Sequence, residues 1–340
     1  MYMQRCLQLA ELGASYVAPN PMVGSVIVCG DKIIGEGFHQ RYGEPHAEPN
    51  AINDVKDKSL LSQCTLYVNL EPCSHFGKTP PCADLIVSWG IPRVVIGTLD
   101  PNPQVAGKGV ARMEAAGIEV TVGVMENECR ELNKRFFIFQ EQNRPFILLK
   151  WAQTQNGFID KIRTDVSQPP LIISNEITKQ LTHKMRSENQ AIMVGTNTVL
   201  LDNPSLTVRN WSGRSPVRLA IDRFGRIPNH FNILDGSIST IIFTEMDTPN
   251  SKNLVYEKIN FHEDILPQIL QKIYQHNIHS VLVEGGAQLT RSFIKAELWD
   301  ETNIEISPIT ISEGVEAPAL KVSHVLSNQY DGHDWLYFVS

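Results

Sequence analysis

Helix-like and strand-like hydrophobic patterns alternate along the first 140 or so residues. Apolar positions at helical spacing indicate amphipathic helices, and short apolar or alternating runs indicate strands. Gly30-Asp31 separates two apolar runs and is typical of a hairpin. This alternation predicts a layered α/β sheet with helices on its faces. The pattern predicts strands over 23–29, 32–38, 65–70, 93–97 and 118–124, and helices over 2–12, 46–55, 80–89, 109–116 and 126–142.

A second alternating series begins after Asn143-Arg144-Pro145, where proline disfavours helix in the residue before it. We therefore expect two α/β domains, residues 1–143 and 144–340. The second series predicts strands over 146–152, 191–194, 217–221, 240–243, 280–284, 302–306 and 335–339, and helices over 177–186, 265–276 and 287–296.

Length and composition argue against membrane-spanning, secreted and nucleic-acid-binding proteins. The 340 residues suffice for about two domains of ~100–200 residues each. No apolar run approaches the roughly 20 residues that span a bilayer, and the first residues read as helix rather than as a secretory signal. We therefore expect a cytoplasmic protein. A net charge of −7 and a pI of about 5.8 argue against binding to a nucleic-acid backbone, but they permit a small anionic substrate.

The six cysteines do not indicate a disulfide framework, because the chain is long and lacks an export signal. Cys29 and Cys64 fall in strand-like runs, and Cys6 and Cys129 fall in helix-like segments. We expect these four to be buried structural thiols.

The other two cysteines belong to a candidate metal site. His46-Ala47-Glu48 is followed by Glu71-Pro72-Cys73 and then by Pro80-Pro81-Cys82. H-x-E with P-C-x-x-C is the pattern of zinc-dependent base deaminases, although here eight residues separate the cysteines. One imidazole and two thiolates would leave the fourth position of a tetrahedral zinc open for water, as in catalytic sites.

The predicted elements allow these ligands to converge. His46 and Cys82 would each lie at a helix start and Cys73 just beyond a strand, while Glu48 lies near enough to move the protons of a zinc-activated water. Two alternatives stay open. His46 would be an ordinary core histidine with Glu48 on a solvated face, or the three ligands would form a closed structural zinc site.

Polar residues between prolines provide a second group of candidates. Asn20 lies in Pro19-Asn20-Pro21, and its amide can read the edge of a pyrimidine or simply stabilise a turn. Asp100-Pro101-Asn102-Pro103 repeats the arrangement directly after a predicted strand, where α/β folds commonly bind ligands.

Together, the segments 19–24, 46–48, 71–82 and 100–103 closely resemble the deaminase half of the bifunctional riboflavin-biosynthesis deaminase–reductases, in which the longer cysteine spacing is usual. The resemblance implies a cytidine-deaminase-like three-layer α/β/α domain that removes the 2-amino group of a diaminohydroxypyrimidine carrying a phosphoribosylamino group. It makes His46, Cys73 and Cys82 the zinc ligands and Glu48 the proton shuttle. It implies substrate contacts by Asn20, His75, Asp100 and Asn102.

Residues 145–340 resemble the reductase half of the same family, most clearly over 194–209 and 283–289. The resemblance implies a dihydrofolate-reductase-like α/β domain that uses NADPH to reduce the ribosyl group to ribityl, in a protein that forms a homo-oligomer. It implies substrate contacts by Arg186, Leu206, Arg209 and Glu284. It implies cofactor contacts by Ala152, Thr198, Asp202, Gly286, Ala287, Gln288, Leu289, Thr290, Arg291 and Ser292.

Local chemistry agrees with part of this assignment. Glu284-Gly285-Gly286 follows a predicted strand and precedes a helix, so backbone amides there can approach a phosphate. The same pattern also occurs as plain turn chemistry. Arginine suits phosphate, but Arg186 and Arg209 would equally form surface ion pairs.

Two positions depart from the family pattern. Asn156 stands where the first reductase strand usually leads into an aspartate, and Ile172 aligns with a tryptophan often seen near the cofactor. These departures motivate an alternative in which the C-terminal half is non-catalytic. A nucleic-acid base deaminase would need basic, aromatic-bearing surfaces, which the acidic pI disfavours. A non-enzymatic zinc scaffold is the remaining alternative.

Overall fold

The computed structural model describes residues 1–75, 80–102, 105–320 and 326–340. The chain divides into two compact units, Met1–Asn143 and Arg144–Ser340. Residues 76–79 and Pro103, which belong to the motifs quoted above, lie outside the described residues.

The first unit alternates helices and strands as the hydrophobic pattern predicts. A short 3-10 helix, Lys58–Gln63, precedes its third strand. Its elements are α1 (Tyr2–Glu11), β1 (Gly24–Cys29), β2 (Lys32–Phe38), α2 (Ala47–Asp54), β3 (Thr65–Leu70), α3 (Cys82–Ser88), β4 (Arg93–Thr98), α4 (Lys108–Ala115), β5 (Glu119–Val122), α5 (Glu126–Leu132) and α6 (Lys134–Gln142).

Within the described part of this unit, five strands form one sheet in the order β2-β1-β3-β4-β5. β1 pairs antiparallel with β2 and β3, whereas β3, β4 and β5 run parallel. Successive residues of a strand face opposite sides, so Ile27 packs with Ala51 and Ile52 of α2 while Val26 packs with Met3 of α1. Helices therefore cover both faces, which is the predicted three-layer α/β/α arrangement.

The single helix expected over 126–142 is wrong. α5 ends and α6 begins on either side of Asn133, whose φ of −107° and ψ of 21° are not helical. The Asn133 side chain is 3% exposed; its Oδ1 accepts the Met22 amide at 2.8 Å and its Nδ2 donates to the Met22 carbonyl at 2.9 Å. The break lets this side chain reach the segment before β1, a partner that helical periodicity cannot reveal.

The second unit contains the predicted strands and helices together with elements that the pattern did not indicate. A 3-10 turn, Asn232–Leu234, follows its fourth strand. The elements are β6 (Phe146–Thr154), β7 (Phe158–Asp160), α7 (Glu176–Glu188), β8 (Ala191–Val194), α8 (Thr196–Asp202), β9 (Val217–Ile221), β10 (Thr240–Thr244), β11 (Leu254–Lys258), α9 (Ile265–Gln275), β12 (Ser280–Gly285), α10 (Ala287–Lys295), β13 (Glu301–Ser307), β14 (Val315–Glu316), β15 (Leu326–Tyr330) and β16 (His333–Val339).

Nine strands of the described residues form the main sheet of this unit, in the order β11-β10-β9-β8-β12-β6-β13-β16-β15. The strands from β11 to β13 are parallel, and β16 and β15 add an antiparallel edge. β7 and β14 pair separately. The carboxyl ends of β6, β12, β8 and β9 therefore meet along one edge, where open α/β sheets bind ligands.

Replacing Asn133 with alanine should destabilise the first unit. The change leaves the buried Met22 amide and carbonyl without the Asn133 partners, and we expect the free energy of unfolding to fall by about 1–3 kcal/mol. Urea titration followed by circular dichroism measures the loss. Gln142→Ala, at the exposed end of α6, is the control and should unfold like the parent protein. An Asn133→Ala variant as stable as the control would contradict the role given to this side chain.

Candidate functional site

The start of α2 carries two of the predicted catalytic side chains. His46 is the residue before the first helical turn, with extended backbone, and Glu48 lies within that turn at 3% exposure. The helix lies close against β2: a Cβ built on Gly37 would lie 2.2 Å from the Ala51 nitrogen. Only glycine permits this approach, and it fixes where the helix begins.

Cys73 and Cys82 reach His46 from two other elements. Cys73 lies in the loop after β3, and Cys82 is the first residue of α3. The His46 Nδ1 atom is 3.6 Å from the Cys73 sulfur and 3.4 Å from the Cys82 sulfur. The Cys82 amide donates to the Cys73 sulfur at 3.3 Å. The three ligand atoms all lie within 4.8 Å of one another, so the convergence expected from the sequence is present.

These distances suit a tetrahedral zinc ion. Zn–S bonds of about 2.3 Å and Zn–N bonds of about 2.0–2.1 Å place neighbouring ligands roughly 3.6–3.8 Å apart. The observed sulfur–nitrogen separations of 3.4 and 3.6 Å fall close to that range. In the described part of the chain, this cluster supplies three ligands, which is the number found in catalytic rather than closed structural zinc sites.

The side chains of the cluster shift one another's pKa values. A hydrogen bond with Cys82 lowers the pKa of the Cys73 thiol to about 4, and a hydrogen bond with Cys73 raises the pKa of His46 to about 8. Burial raises the pKa of the Glu48 carboxyl. A positive charge is therefore retained beside the thiolate, and a buried carboxyl group lies next to it.

His39 links Asn20 to the zinc ligands. Its position after β2 is the only sequence feature that could have indicated it. Its ring lies 5.4 Å from that of His46, edge to face, and its Nε2 lies 3.1 Å from the Asn20 Nδ2. Its Nδ1 lies 3.0 Å from the Pro45 carbonyl, which can only accept. Nδ1 therefore carries the proton, Asn20 donates to Nε2, and the Asn20 side-chain oxygen remains as an acceptor.

Glu71, quoted in the sequence motif but given no role there, anchors the loop that carries Asp100 and Asn102. Its carboxylate is 4% exposed, and Asp100 in turn accepts the Asn102 amide at 2.8 Å. Burial raises the pKa of Asp100 to about 6. His75 is exposed, two residues after Cys73. Glu71 accepts backbone amides from Asp100 at 3.3 Å, Gly107 at 2.9 Å, Gly109 at 2.9 Å and Val110 at 3.3 Å.

A cavity of about 1190 Å³ opens at the carboxyl edge of the main sheet in the second unit. This volume exceeds the range usual for the pockets of drug-sized ligands. The cavity is therefore large enough for a dinucleotide together with a substrate. Glu284 lines it. The ten residues predicted to contact the cofactor also line it: Ala152, Thr198, Asp202, Gly286, Ala287, Gln288, Leu289, Thr290, Arg291 and Ser292.

The predicted reductase substrate residues meet around one ion pair. Arg186 donates to both oxygens of Glu284 at 2.7 and 2.6 Å and to the Thr207 carbonyl at 3.2 Å. Burial opposes ionisation of Glu284, but the charge and hydrogen bonds of Arg186 together lower its pKa. Leu206 is buried with a φ of 53°, and the Arg209 guanidinium is bonded to the Thr207 hydroxyl.

Both departures from the family pattern lie outside the cavity wall. Asn156 accepts a hydrogen bond from Thr154 at 2.9 Å and donates to the Ile311 carbonyl at 2.6 Å, so its amide stabilises a turn. Ile172 is 76% exposed, and its neighbour Leu171 lines the cavity instead. Ile172 is therefore not among the residues that line the cavity.

Two further cationic residues line the cavity and were not predicted from the sequence. Lys150, on β6, is buried with its Nζ 3.9 Å from Glu305, and burial lowers its pKa. Arg163 forms ion pairs with Asp160 and Asp202.

Two family models match the chain. The cytidine and deoxycytidylate deaminase zinc-binding region matches residues 1–98, and the RibD C-terminal domain matches residues 145–320. A riboflavin biosynthesis protein RibD of Aquifex aeolicus is 40% identical over 95% of this chain and 91% of its own length.

Two solved structures are similar to this one over nearly its whole length. A diaminohydroxyphosphoribosylaminopyrimidine deaminase/5-amino-6-(5-phosphoribosylamino)uracil reductase of Thermotoga maritima is 36% identical with a TM-score of 0.87, and a RibD of Acinetobacter baumannii is 31% identical with a TM-score of 0.88. Each match covers 99% of this chain and 97% of the other.

The chain belongs to the RibD family.

It is therefore a bifunctional enzyme of riboflavin biosynthesis with a zinc-dependent deaminase and an NADPH-using reductase on one chain. Membership of this family excludes the alternative of a non-enzymatic zinc scaffold. It also favours an active reductase over the alternative in which the C-terminal half is non-catalytic. No helix among the described residues has the length and apolar character needed to cross a membrane.

Replacing Cys82 should remove zinc. Cys82→Ser substitutes a weak hydroxyl ligand for one of two thiolates, so we expect bound zinc to fall from stoichiometric to a small fraction after dialysis. Metal analysis by mass spectrometry measures it. Cys64→Ser is the matched control, because Cys64 is also a buried thiol, is not among the three clustered ligands, and should leave zinc in place. Equal zinc in the two variants would contradict the ligand assignment.

Proposed function

We propose that residues 1–143 deaminate 2,5-diamino-6-(5-phosphoribosylamino)pyrimidin-4-one and that residues 144–340 reduce the deaminated product to its ribityl form with NADPH. The observation that carries the first step is the His46, Cys73 and Cys82 cluster with buried Glu48 beside it. The names of the Thermotoga maritima relative's two reactions support the choice of substrates.

In the deaminase, zinc held by His46, Cys73 and Cys82 would act as a Lewis acid that makes water nucleophilic near neutral pH. Glu48 would take one proton from that water and deliver it to the ring nitrogen as the oxygen adds to the neighbouring carbon. Glu48 would then move the second proton, from the hydroxyl group now on that carbon, to the amino group, which leaves as ammonia. Its raised pKa, caused by burial, suits a group that must both accept and release a proton.

The residues around this cluster would contact and recognise the substrate. Asn20 presents its side-chain oxygen, because its nitrogen is committed to His39. Asp100 and Asn102 approach on the loop that Glu71 holds, and His75 follows Cys73. These groups suit the amino and carbonyl substituents of a small pyrimidine, and the acidic chain disfavours nucleic acid.

In the reductase, the ten cavity-lining cofactor residues would hold NADPH, which supplies the hydride. Glu284 lies on the cavity wall, and its pairing with Arg186 keeps it ionised and oriented toward the substrate. Arg186, Leu206 and Arg209 would position the phosphoribosyl group. Asn156 and Ile172 do not line the cavity, which removes the motive for a non-catalytic second half.

We also propose a cytoplasmic location. All six cysteines are free, and two of them serve as thiolate ligands in this proposal, as a reducing compartment permits. A homo-oligomer is expected from the family resemblance, and sedimentation velocity of the purified chain would test it.

Replacing Glu48 with glutamine should nearly abolish deamination while zinc remains bound. The amide cannot take the water proton, so we expect ammonia release to fall by about a hundredfold or more. Ammonia release from the aminopyrimidine ribotide is measured beside zinc content. Glu44→Gln, an exposed neighbour on the preceding loop, is the control and should retain activity. Retained ammonia release in Glu48→Gln would contradict the role of Glu48.

The reductase step is tested by supplying the deaminated intermediate directly. The parent protein should consume NADPH, and Glu284→Gln should lower kcat/KM about tenfold to a hundredfold, because a buried ion pair loses its charge. NADPH oxidation is followed spectrophotometrically. Glu263→Gln, at an exposed site before α9, should behave like the parent. No NADPH consumption by the parent protein would support a non-catalytic second half.

A further inference from the structure

The segment 206–209, which follows α8, has a backbone conformation that requires support from its surroundings. The Leu206 side chain is 3% exposed and its φ is 53°, a left-handed conformation that bulky residues rarely adopt. Such a conformation persists only where neighbouring groups hold it in place. The segment contains Leu206 and Arg209, two of the residues that would position the phosphoribosyl group. The groups that hold the segment therefore decide where these side chains lie.

Two side chains of α7 hold this segment. The Arg186 guanidinium donates to the Thr207 carbonyl at 3.2 Å. About one helical turn earlier, the His183 Nδ1 atom accepts the Arg209 backbone amide at 3.2 Å, and the His183 ring is 7% exposed. Residues three apart lie on the same face of a helix, so α7 contacts the segment at two points that are two residues apart.

The two arginines expected to bind the phosphoribosyl group differ in how far they are already engaged. Arg186 donates from Nε and Nη2 to Glu284 and from Nη1 to the Thr207 carbonyl. Arg209 is exposed, and among the described residues its guanidinium has one hydrogen-bond partner, the Thr207 hydroxyl at 3.0 Å. Arg209 therefore keeps more donors for a phosphate group, which a guanidinium fork matches in shape.

The hydrogen bond to Arg209 fixes the protonation state of His183. A backbone amide can only donate, so Nδ1 is unprotonated and Nε2 carries the proton of the neutral ring. Burial and the charges of Arg186 and Arg209 lower the pKa of His183, and the Glu284 charge and the Thr207 backbone oppose this shift. The ring is therefore neutral at neutral pH, as its role as an acceptor requires.

We propose that His183 is a positioning residue of the reductase, which presents Arg209 to the phosphate group of the substrate. The inference rests on the proposed function, because Arg209 meets a phosphate only if residues 144–340 bind the phosphoribosyl intermediate. Without His183, the segment keeps the hydrogen bonds of the Thr207 carbonyl to Arg186 and of the Val208 amide to the Ser215 hydroxyl at 3.1 Å. The Arg209 backbone is then no longer fixed, although its charge remains.

Steady-state kinetics of NADPH oxidation by the full chain, with the deaminated intermediate as substrate, tests the proposal. His183→Ala removes the acceptor and should raise the KM for the intermediate about threefold to tenfold, as expected for one lost hydrogen bond. The kcat and the KM for NADPH should each change by less than about twofold. His183→Asn places an amide oxygen close to the position of Nδ1 and should restore most of the affinity.

The dephosphorylated intermediate separates this role from a general effect on the fold. It lacks the group that Arg209 would bind, so the parent protein and His183→Ala should reduce it with the same KM. Arg209→Gln should raise the KM for the phosphorylated intermediate, and adding His183→Ala should change it little further, because both changes act on one contact. His279→Ala is the matched control and should leave this KM unchanged, because its ring is also 7% exposed but precedes β12, at the opposite end of the sheet.

The pH dependence of KM gives a second measurement. Protonation of Nδ1 removes the acceptor, so the KM of the parent protein should rise as the pH falls below about 6.5. His183→Asn does not titrate and should lack this part of the rise.

An unchanged KM in His183→Ala overturns the proposal while the reductase function stands. An equal rise of KM with and without the phosphate group does the same, as does an Arg209→Gln variant that binds the intermediate like the parent. A parent protein that consumes no NADPH with the intermediate overturns the proposed reductase function and, with it, this role of His183.

Discussion

The contact of α2 with β2 is the constraint on which the deaminase site depends. A Cβ on Gly37 would lie 2.2 Å from the Ala51 nitrogen, and one on Gly35 would lie 2.5 Å from the Ala51 oxygen. Any larger residue at either position would push the helix outward and carry His46 and Glu48 with it. A metal site tolerates little of this, because ligand separations must match the bond lengths of the ion. Backbone packing thus sets the site before any ligand binds.

Both sites are built where helices begin, but they use the positive helix ends differently. In the second unit the starts of α8 and α10 suit a phosphate directly. In the first unit α2 and α3 begin beside the metal ligands, where a bare cation would be repelled. Two thiolate ligands offset this repulsion. Their negative charge is favoured beside the positive helix ends, and the same charge attracts zinc. The hydrogen bond with the Cys82 side chain lowers the pKa of Cys73, and hydrogen bonds with His46 and with the Cys82 backbone amide lower it further, to about 4.

The sequence predicted the order of elements well, because burial on one or both faces leaves a readable pattern. It also predicted the zinc cluster, since ligand types and helix starts are local features. It could not predict the break at Asn133, whose partner Met22 lies 111 residues away. His39 and Glu71 were missed as site residues for the same reason: their importance lies in hydrogen bonds to Asn20 and to the start of α4, which only the folded chain brings together.

The departures in the reductase half show why alignment to a family pattern is a weak guide to competence. Asn156 uses both its oxygen and its nitrogen, one for Thr154 and one for Ile311. An aspartate there would lose the donor and place a charge against the Ile311 carbonyl, so the amide fits the loop that this chain has. The cavity wall nearby still presents Lys150 and Glu284. Asn156 thus supports the turn after β6, and it is not among the residues that line the cavity.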